Sequence, residues 1–99
     1  MAQHLSHQQL VAIANEFGTP VYIYHAERIA EQYGKLQHAF KNCNARFFFA
    51  CKSLTNVSVL KYINSLGAAI DCVSINEVKL ALMAGFKTSD ILYTPNCVD

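Results

Sequence analysis

Apolar residues along this chain switch between two periods, and the switching lays out its elements. Leu10, Ile13, Ala14 and Phe17 recur at helical spacing, behind the pair Ser6 and Gln9 and ahead of Gly18. That pattern predicts a helix with a capping box at its start and a glycine stop. Thr19-Pro20 reads as a turn, and Val21-Tyr22-Ile23-Tyr24 as a strand, with a β-branched or aromatic residue at each position. A second helical stripe, Ile29, Tyr33, Leu36 and Phe40, predicts a helix over about residues 26–41. Tyr33 on that stripe is expected to pack against a neighbouring element rather than to touch a ligand.

From Ala45 onward the pattern becomes rhythmic. A strand over 45–51 is followed by a helix over about 56–66, with Val59, Leu60, Ile63 and Leu66 on one side and Gly67 at its end. A strand over 68–73 follows. Ser74 and Glu77 form a second capping box for a helix with Val78, Ala81 and Leu82 inward, closed by Gly85. Asp90 to Thr94 is a third strand of the run. Strands alternating with short helices predict βαβ units and a parallel sheet. A doubly wound sheet and a (β/α)8 barrel both satisfy this pattern. Neither G-x-G-x-x-G nor G-x-x-x-x-G-K-[ST] occurs, which leans towards the barrel.

Composition narrows the function classes. The chain has 99 residues, 53% of them apolar, enough to form a core, and a formal net charge of +1 without a basic run. Nothing here recruits nucleic acid or an anionic membrane. No apolar stretch reaches the ~18 residues of a membrane span, and Met1 to Asn15 lacks the layout of a signal peptide. Cys43, Cys51, Cys72 and Cys97 are widely spaced with no C-x-x-C, so their spacing supports no zinc or redox motif and no metal is expected. They read as reduced thiols of a cytoplasmic protein. His4 and His7 are expected to face solvent.

Candidate chemistry sits at strand ends. Phe47, Phe48 and Phe49 form an unbroken apolar run, as in a strand covered on both faces. Alternation sets Phe48, Ala50 and Lys52 on one face and Phe47, Phe49 and Cys51 on the other. Lys52 is then either a lysine reaching solvent along its stem or a partly desolvated amine able to form a Schiff base. Asp71 ends the next strand on the face of Ala69 and Val73. If both strands face alike, Asp71 and Lys52 converge; otherwise Asp71 is an exposed strand-end carboxylate. Glu77 is explained fully by helix capping, and Asn96 by the turn beside Pro95.

Phe49-Ala50-Cys51-Lys52-Ser53, followed by Gly67-Ala68-Ala69-Ile70-Asp71-Cys72-Val73-Ser74-Ile75-Asn76-Glu77, resembles the start of the alanine-racemase-like pyridoxal-phosphate enzymes. Within that group it is most similar to the diaminopimelate decarboxylases, from about Phe17 to Asp99. The resemblance implies an α/β fold, the beginning of a pyridoxal-phosphate-binding (β/α)8 TIM barrel cut off after about three strands. Residues 1–25 are then a lead-in belonging to a separate β-domain, and residues 26–99 the first part of the barrel. It implies pyridoxal 5'-phosphate as cofactor, joined to Lys52 as a Schiff base, with Asp71 beside it and Ala50, Glu77 and Asn96 around the same site. The implied reaction converts meso-2,6-diaminopimelate to L-lysine and CO2 in a cytoplasmic homodimer. Ornithine, arginine and carboxynorspermidine decarboxylases are the neighbouring alternatives. The racemases are disfavoured, because Lys52 is followed by Ser53-Leu54-Thr55-Asn56 rather than Ala-x-Ala-Tyr-Gly. Small cofactor carriers of the same fold lack the β-domain, whereas Gly18 to Tyr24 resembles the decarboxylase lead-in. The phosphate loop, the partner of the pyridine nitrogen and the catalytic cysteine of such enzymes are expected beyond Asp99. The 99 residues by themselves are therefore expected to be an incomplete, inactive barrel.

Overall fold

A computed structural model describes residues 4–95. The described residues begin with helix α1 (His7–Phe17) and helix α2 (Ala26–Ala39). Then β1 (Phe48–Ala50), α3 (Val57–Ser65), β2 (Ala69–Cys72), α4 (Ile75–Met83) and β3 (Ile91–Tyr93) alternate. The strands form one parallel sheet in the order β1-β2-β3. Neighbours in sequence are thus neighbours in space, and each crossover carries a helix, as parallel pairing requires.

The helix boundaries follow from side-chain caps. Ser6 Oγ accepts from Gln9 N at 3.1 Å, and Gln9 Oε1 accepts from Ser6 N at 2.8 Å, a reciprocal capping box for α1. Asn56 Oδ1 accepts from Val59 N at 3.1 Å and starts α3. At α4, Ser74 Oγ accepts from Glu77 N at 3.2 Å. The Glu77 carboxylate does not return to Ser74 N as in the expected box; its Oε1 accepts from Val73 N, one residue further back, at 3.0 Å. Removing a cap of this kind costs about 1 kcal/mol. Gly67 and Gly85 follow α3 and α4 at φ of 95° and 98°. Those left-handed values end the helices and turn the chain towards the next strand.

The core lies between one face of the sheet and helices α3 and α4. Leu60, Ile63, Ala81 and Phe86 pack there with Ile70, Cys72 and Cys51. Register defines the opposite face. Phe48 pairs with Ala69, Ala50 with Asp71, and Asp71 with Leu92. Residues directly across a parallel ladder point the same way, so Phe48, Ala50, Asp71 and Leu92 share the face away from the helices. Phe48 and Leu92 are exposed on it. Helix α2 packs beside α3, with the Tyr33 and Phe40 rings edge-on to Phe47 at centroid distances of 6.0 and 5.8 Å. The packing role expected of Tyr33 is the one it has. Arg46 pairs with Asp90 at 2.7 Å on the surface, a contact worth about 0–1 kcal/mol.

Four expectations about local structure give way. Val21 to Tyr24 is not a strand but irregular chain. Its side chains suit a strand, but no described strand pairs with it, and β propensity without a ladder does not make one. The strand expected over 45–51 is only Phe48–Ala50, since Cys51–Ser53 turns away as a single 3-10 turn. The Phe47 to Phe49 run is not covered on both faces: Phe48 stays exposed, with the Arg46 guanidinium over its ring at 5.1 Å. On α4, Leu82 faces outward and Ala81 is the buried residue.

Candidate active site

Lys52 sits in the turn that follows β1, closed by a hydrogen bond from Leu54 N to Cys51 O at 3.0 Å. Its side chain is exposed. The partly desolvated strand-end amine is therefore not supplied by the described residues. The chain leaves the sheet after Ala50, and the turn buries Cys51 in place of extending the strand through Lys52.

Asp71 is placed by the sheet. It pairs with Ala50 on one side and Leu92 on the other. The methyl group of Ala50 leaves space beside the carboxylate on the face away from the helices. Thr94 Oγ1 donates to Asp71 Oδ1 at 2.6 Å, and Thr94 N donates to Cys72 O at 2.9 Å, continuing the β3 ladder. Thr94 was absent from the residues singled out in the sequence. The signal for it was register: Thr94 lies two residues beyond Leu92, the partner of Asp71, and alternation returns it to the same face.

Ala50 and Asp71 are thus brought together, with Lys52 two residues beyond Ala50. Glu77 goes elsewhere. Its carboxylate lies with the thiols of Cys51 and Cys72, one ligand atom of each residue being within 4.8 Å of the others. Both thiols are fully buried among the core residues contacted by α3 and α4. Burial pushes the Cys51 thiol up to about 11, and the neighbouring Cys72 and Glu77 add to the rise. Burial also raises Cys72, followed by the charge of Glu77. Asn96 lies outside the described residues. A groove of about 590 Å³ is apolar and runs between α2 and the β1–α3 unit; Ala50 lines it, but Lys52 and Asp71 do not.

Known proteins share this sequence pattern and fold. A sequence model of the pyridoxal-dependent decarboxylases, covering their pyridoxal binding domain, matches residues 26–99. A diaminopimelate decarboxylase of Methanothermobacter thermautotrophicus is 46% identical over 90 residues, which is 89% of this chain and 21% of that protein. The chain spans about a fifth of the length of such curated relatives. Among solved structures, diaminopimelate decarboxylase from M. jannaschii in co-complex with L-lysine is 28% identical with a TM-score of 0.82, over 89% of this chain and 22% of that one. The Helicobacter pylori enzyme complexed with L-lysine is 31% identical with a TM-score of 0.78, over 85% of this chain and 21% of that one. The three-stranded parallel sheet matches the start of the barrel in those enzymes, and it is not closed here. By the match of its sequence from Ala26 onward, the chain belongs to the pyridoxal-dependent decarboxylase family, within the pyridoxal-binding domain.

Proposed function

We propose that the polypeptide carrying these residues is a decarboxylase of meso-2,6-diaminopimelate that uses pyridoxal 5'-phosphate and releases CO2 and L-lysine in lysine biosynthesis. The observation that carries the reading is the pairing of Ala50 with Asp71 on adjacent parallel strands, with Lys52 in the turn just past β1. The carboxyl ends of such strands are where ligands bind in α/β folds. The choice of substrate follows the relatives, diaminopimelate decarboxylases at 46% and 42% identity.

The residues present fit the cofactor. Lys52 presents an exposed amine to bond its aldehyde carbon, Ala50 leaves room for a flat ring, and Asp71 offers a carboxylate fixed by Thr94. When bound, the cofactor supplies an electron sink for the pair left on the substrate carbon as CO2 departs. Lys52 would hold the cofactor through that aldehyde carbon. Asp71 would place its carboxylate beside the nitrogen that joins the cofactor, where a carboxylate favours the positively charged form. Thr94 holds that carboxylate in one orientation. Glu77 fixes the start of α4, and Asn96 is assigned to the cofactor side by the family likeness alone. Residues 1–25 are the lead-in to a β-domain and residues 26–99 the start of the barrel, in a cytoplasmic homodimer.

The test is CO2 release by the native polypeptide from meso-diaminopimelate, ornithine and arginine, each with added cofactor. The highest kcat/KM is expected for meso-diaminopimelate. A preference for ornithine or arginine would reassign the substrate, and no release from any of them would overturn the reading.

A further inference from the structure

Three residues from separate elements meet behind the strand ends. Cys51 lies in the turn after β1, Cys72 is the last residue of β2, and Glu77 is in the first turn of α4. Their thiols and carboxylate come within 4.8 Å of one another, and both thiols are fully buried. Neither cysteine is in a disulfide. A half-buried carboxylate is costly beside two core positions that any small apolar residue would fill. The carboxylate is also oriented: its Oε1 accepts from Val73 N at 3.0 Å. An outer hydrogen bond of this kind aims a metal ligand, and a carboxylate has a second oxygen to offer.

We propose that Cys51 Sγ, Cys72 Sγ and the Glu77 carboxylate form a binding site for a soft divalent cation of the zinc type. Two thiolates and one carboxylate are a donor set that zinc accepts, at about 2.3 Å for sulfur and about 2.0–2.2 Å for oxygen. Those lengths place tetrahedral ligand atoms roughly 3.5–3.8 Å apart. Drawing the present cluster to that spacing needs side-chain movements of about 1 Å or less, by the same bond lengths. On binding, two S–H bonds break, two metal–sulfur bonds form, and two protons pass to solvent. A water completes the tetrahedron. The cation ties the end of β1 to the end of β2 and to the start of α4. Its two thiolate ligands directly adjoin Lys52 and Asp71 in sequence, so it braces that corner from the helix side of the sheet. The proposal uses the thiols and the carboxylate alone and stands whether or not the polypeptide is a decarboxylase.

The native polypeptide, reduced and stripped with a chelator, is titrated with Co2+ and then with Zn2+. One equivalent of Co2+ should give thiolate-to-cobalt charge-transfer absorption that Zn2+ removes. The band should be lost in Cys72→Ser and in Cys51→Ser, weakened in Glu77→Gln, and kept in Cys43→Ser. Should a cysteine variant fail to fold, zinc-edge X-ray absorption on the unaltered protein decides instead: two sulfur neighbours at about 2.3 Å are expected. Absence of the band in the unaltered protein would overturn the site. So would a band that survives in Cys51→Ser or Cys72→Ser, or a zinc edge without sulfur.

Discussion

The Thr94 hydroxyl donates a 2.6 Å hydrogen bond to Asp71 Oδ1, joining the ends of two parallel strands on the face that Ala50 shares. A carboxylate held this way keeps its charge in one place, which is what a site for a cationic nitrogen needs. Thr94→Val removes the donor at nearly constant volume. At this half-open position the loss should fall at the low end for bonds to charged groups, about 1.5 kcal/mol, or roughly tenfold in kcat. Asp71→Asn removes the charge itself and should cost more, on the order of a hundredfold. Steady-state decarboxylation by both variants checks the order. Full activity in Asp71→Asn would leave Asp71 a structural residue.

Lys52 is expected to carry the cofactor. Borohydride reduction of the loaded native polypeptide, followed by peptide mapping, should place the tag on Lys52. Because the side chain is exposed, Lys52→Ala should abolish turnover while changing stability by no more than about 0.5 kcal/mol. Lys61 and Lys79 lie on α3 and α4, and a tag on either would remove Lys52 from this role.

The sequence showed the α3–β2–α4–β3 run because each helix there carries its own cap and glycine stop. Asn56, Ser74, Gly67 and Gly85 act locally, so periodicity and turn chemistry were enough. Val21 to Tyr24 was misread because its side chains suit a strand, and strand formation depends on a partner that the local sequence does not contain. The end of β1 was misread for a related reason. Nothing in Ala50-Cys51-Lys52 tells whether the next residue continues the ladder or turns to bury Cys51. The faces carrying Ala50 and Asp71 were legible from alternation, but their pairing was not, since it depends on register. Thr94 and the Cys51–Cys72–Glu77 cluster were hidden for the same reason, since both depend on the register between strands.

The buried thiols make a prediction about alkaline pH. Cys51 titrates near 11 when folded, above its ordinary value near 9, so between these the folded state holds a proton that the unfolded state has lost. Stability from this group is complete below about pH 9 and falls as pH rises towards 11; Cys72 is shifted in the same direction. Urea midpoints of the metal-free protein from pH 8 to 11 should therefore decline, and the decline should be shallower in Cys51→Ala. Iodoacetamide should label exposed Cys43 well before Cys51 and Cys72. Equal labelling rates for all three would contradict the packing.

The two helix-ending glycines should respond differently to alanine. At both, the left-handed backbone costs a non-glycine residue about 1–2 kcal/mol. At Gly67 an added Cβ meets nothing within 4 Å, whereas at Gly85 it comes to 3.3 Å from Asn64 Nδ2. Gly85→Ala should therefore destabilise the native polypeptide more than Gly67→Ala, by a few tenths of a kcal/mol beyond the shared backbone cost. Chemical denaturation of the two variants side by side measures the difference, and a larger loss at Gly67 would count against the tight approach of Asn64.

A polypeptide limited to these 99 residues is expected to lack both activity and a cooperative fold. Its sheet has β1 and β3 as open edges, each with one partner among the described strands. Phe48 and Leu92 are uncovered on the face of Asp71, and α1 buries none of its residues. Covering one such side chain is worth about 1.5–3 kcal/mol, against a total margin of about 5–15 kcal/mol for a typical domain. Several missing covers remove most of that margin, and open parallel edges favour association between chains. Thermal unfolding of this polypeptide should be broad, with aggregation, and CO2 release from meso-diaminopimelate with added cofactor should be undetectable. A sharp transition in a soluble monomer, or turnover that disappears in Lys52→Ala, would show that the three-stranded unit is sufficient by itself.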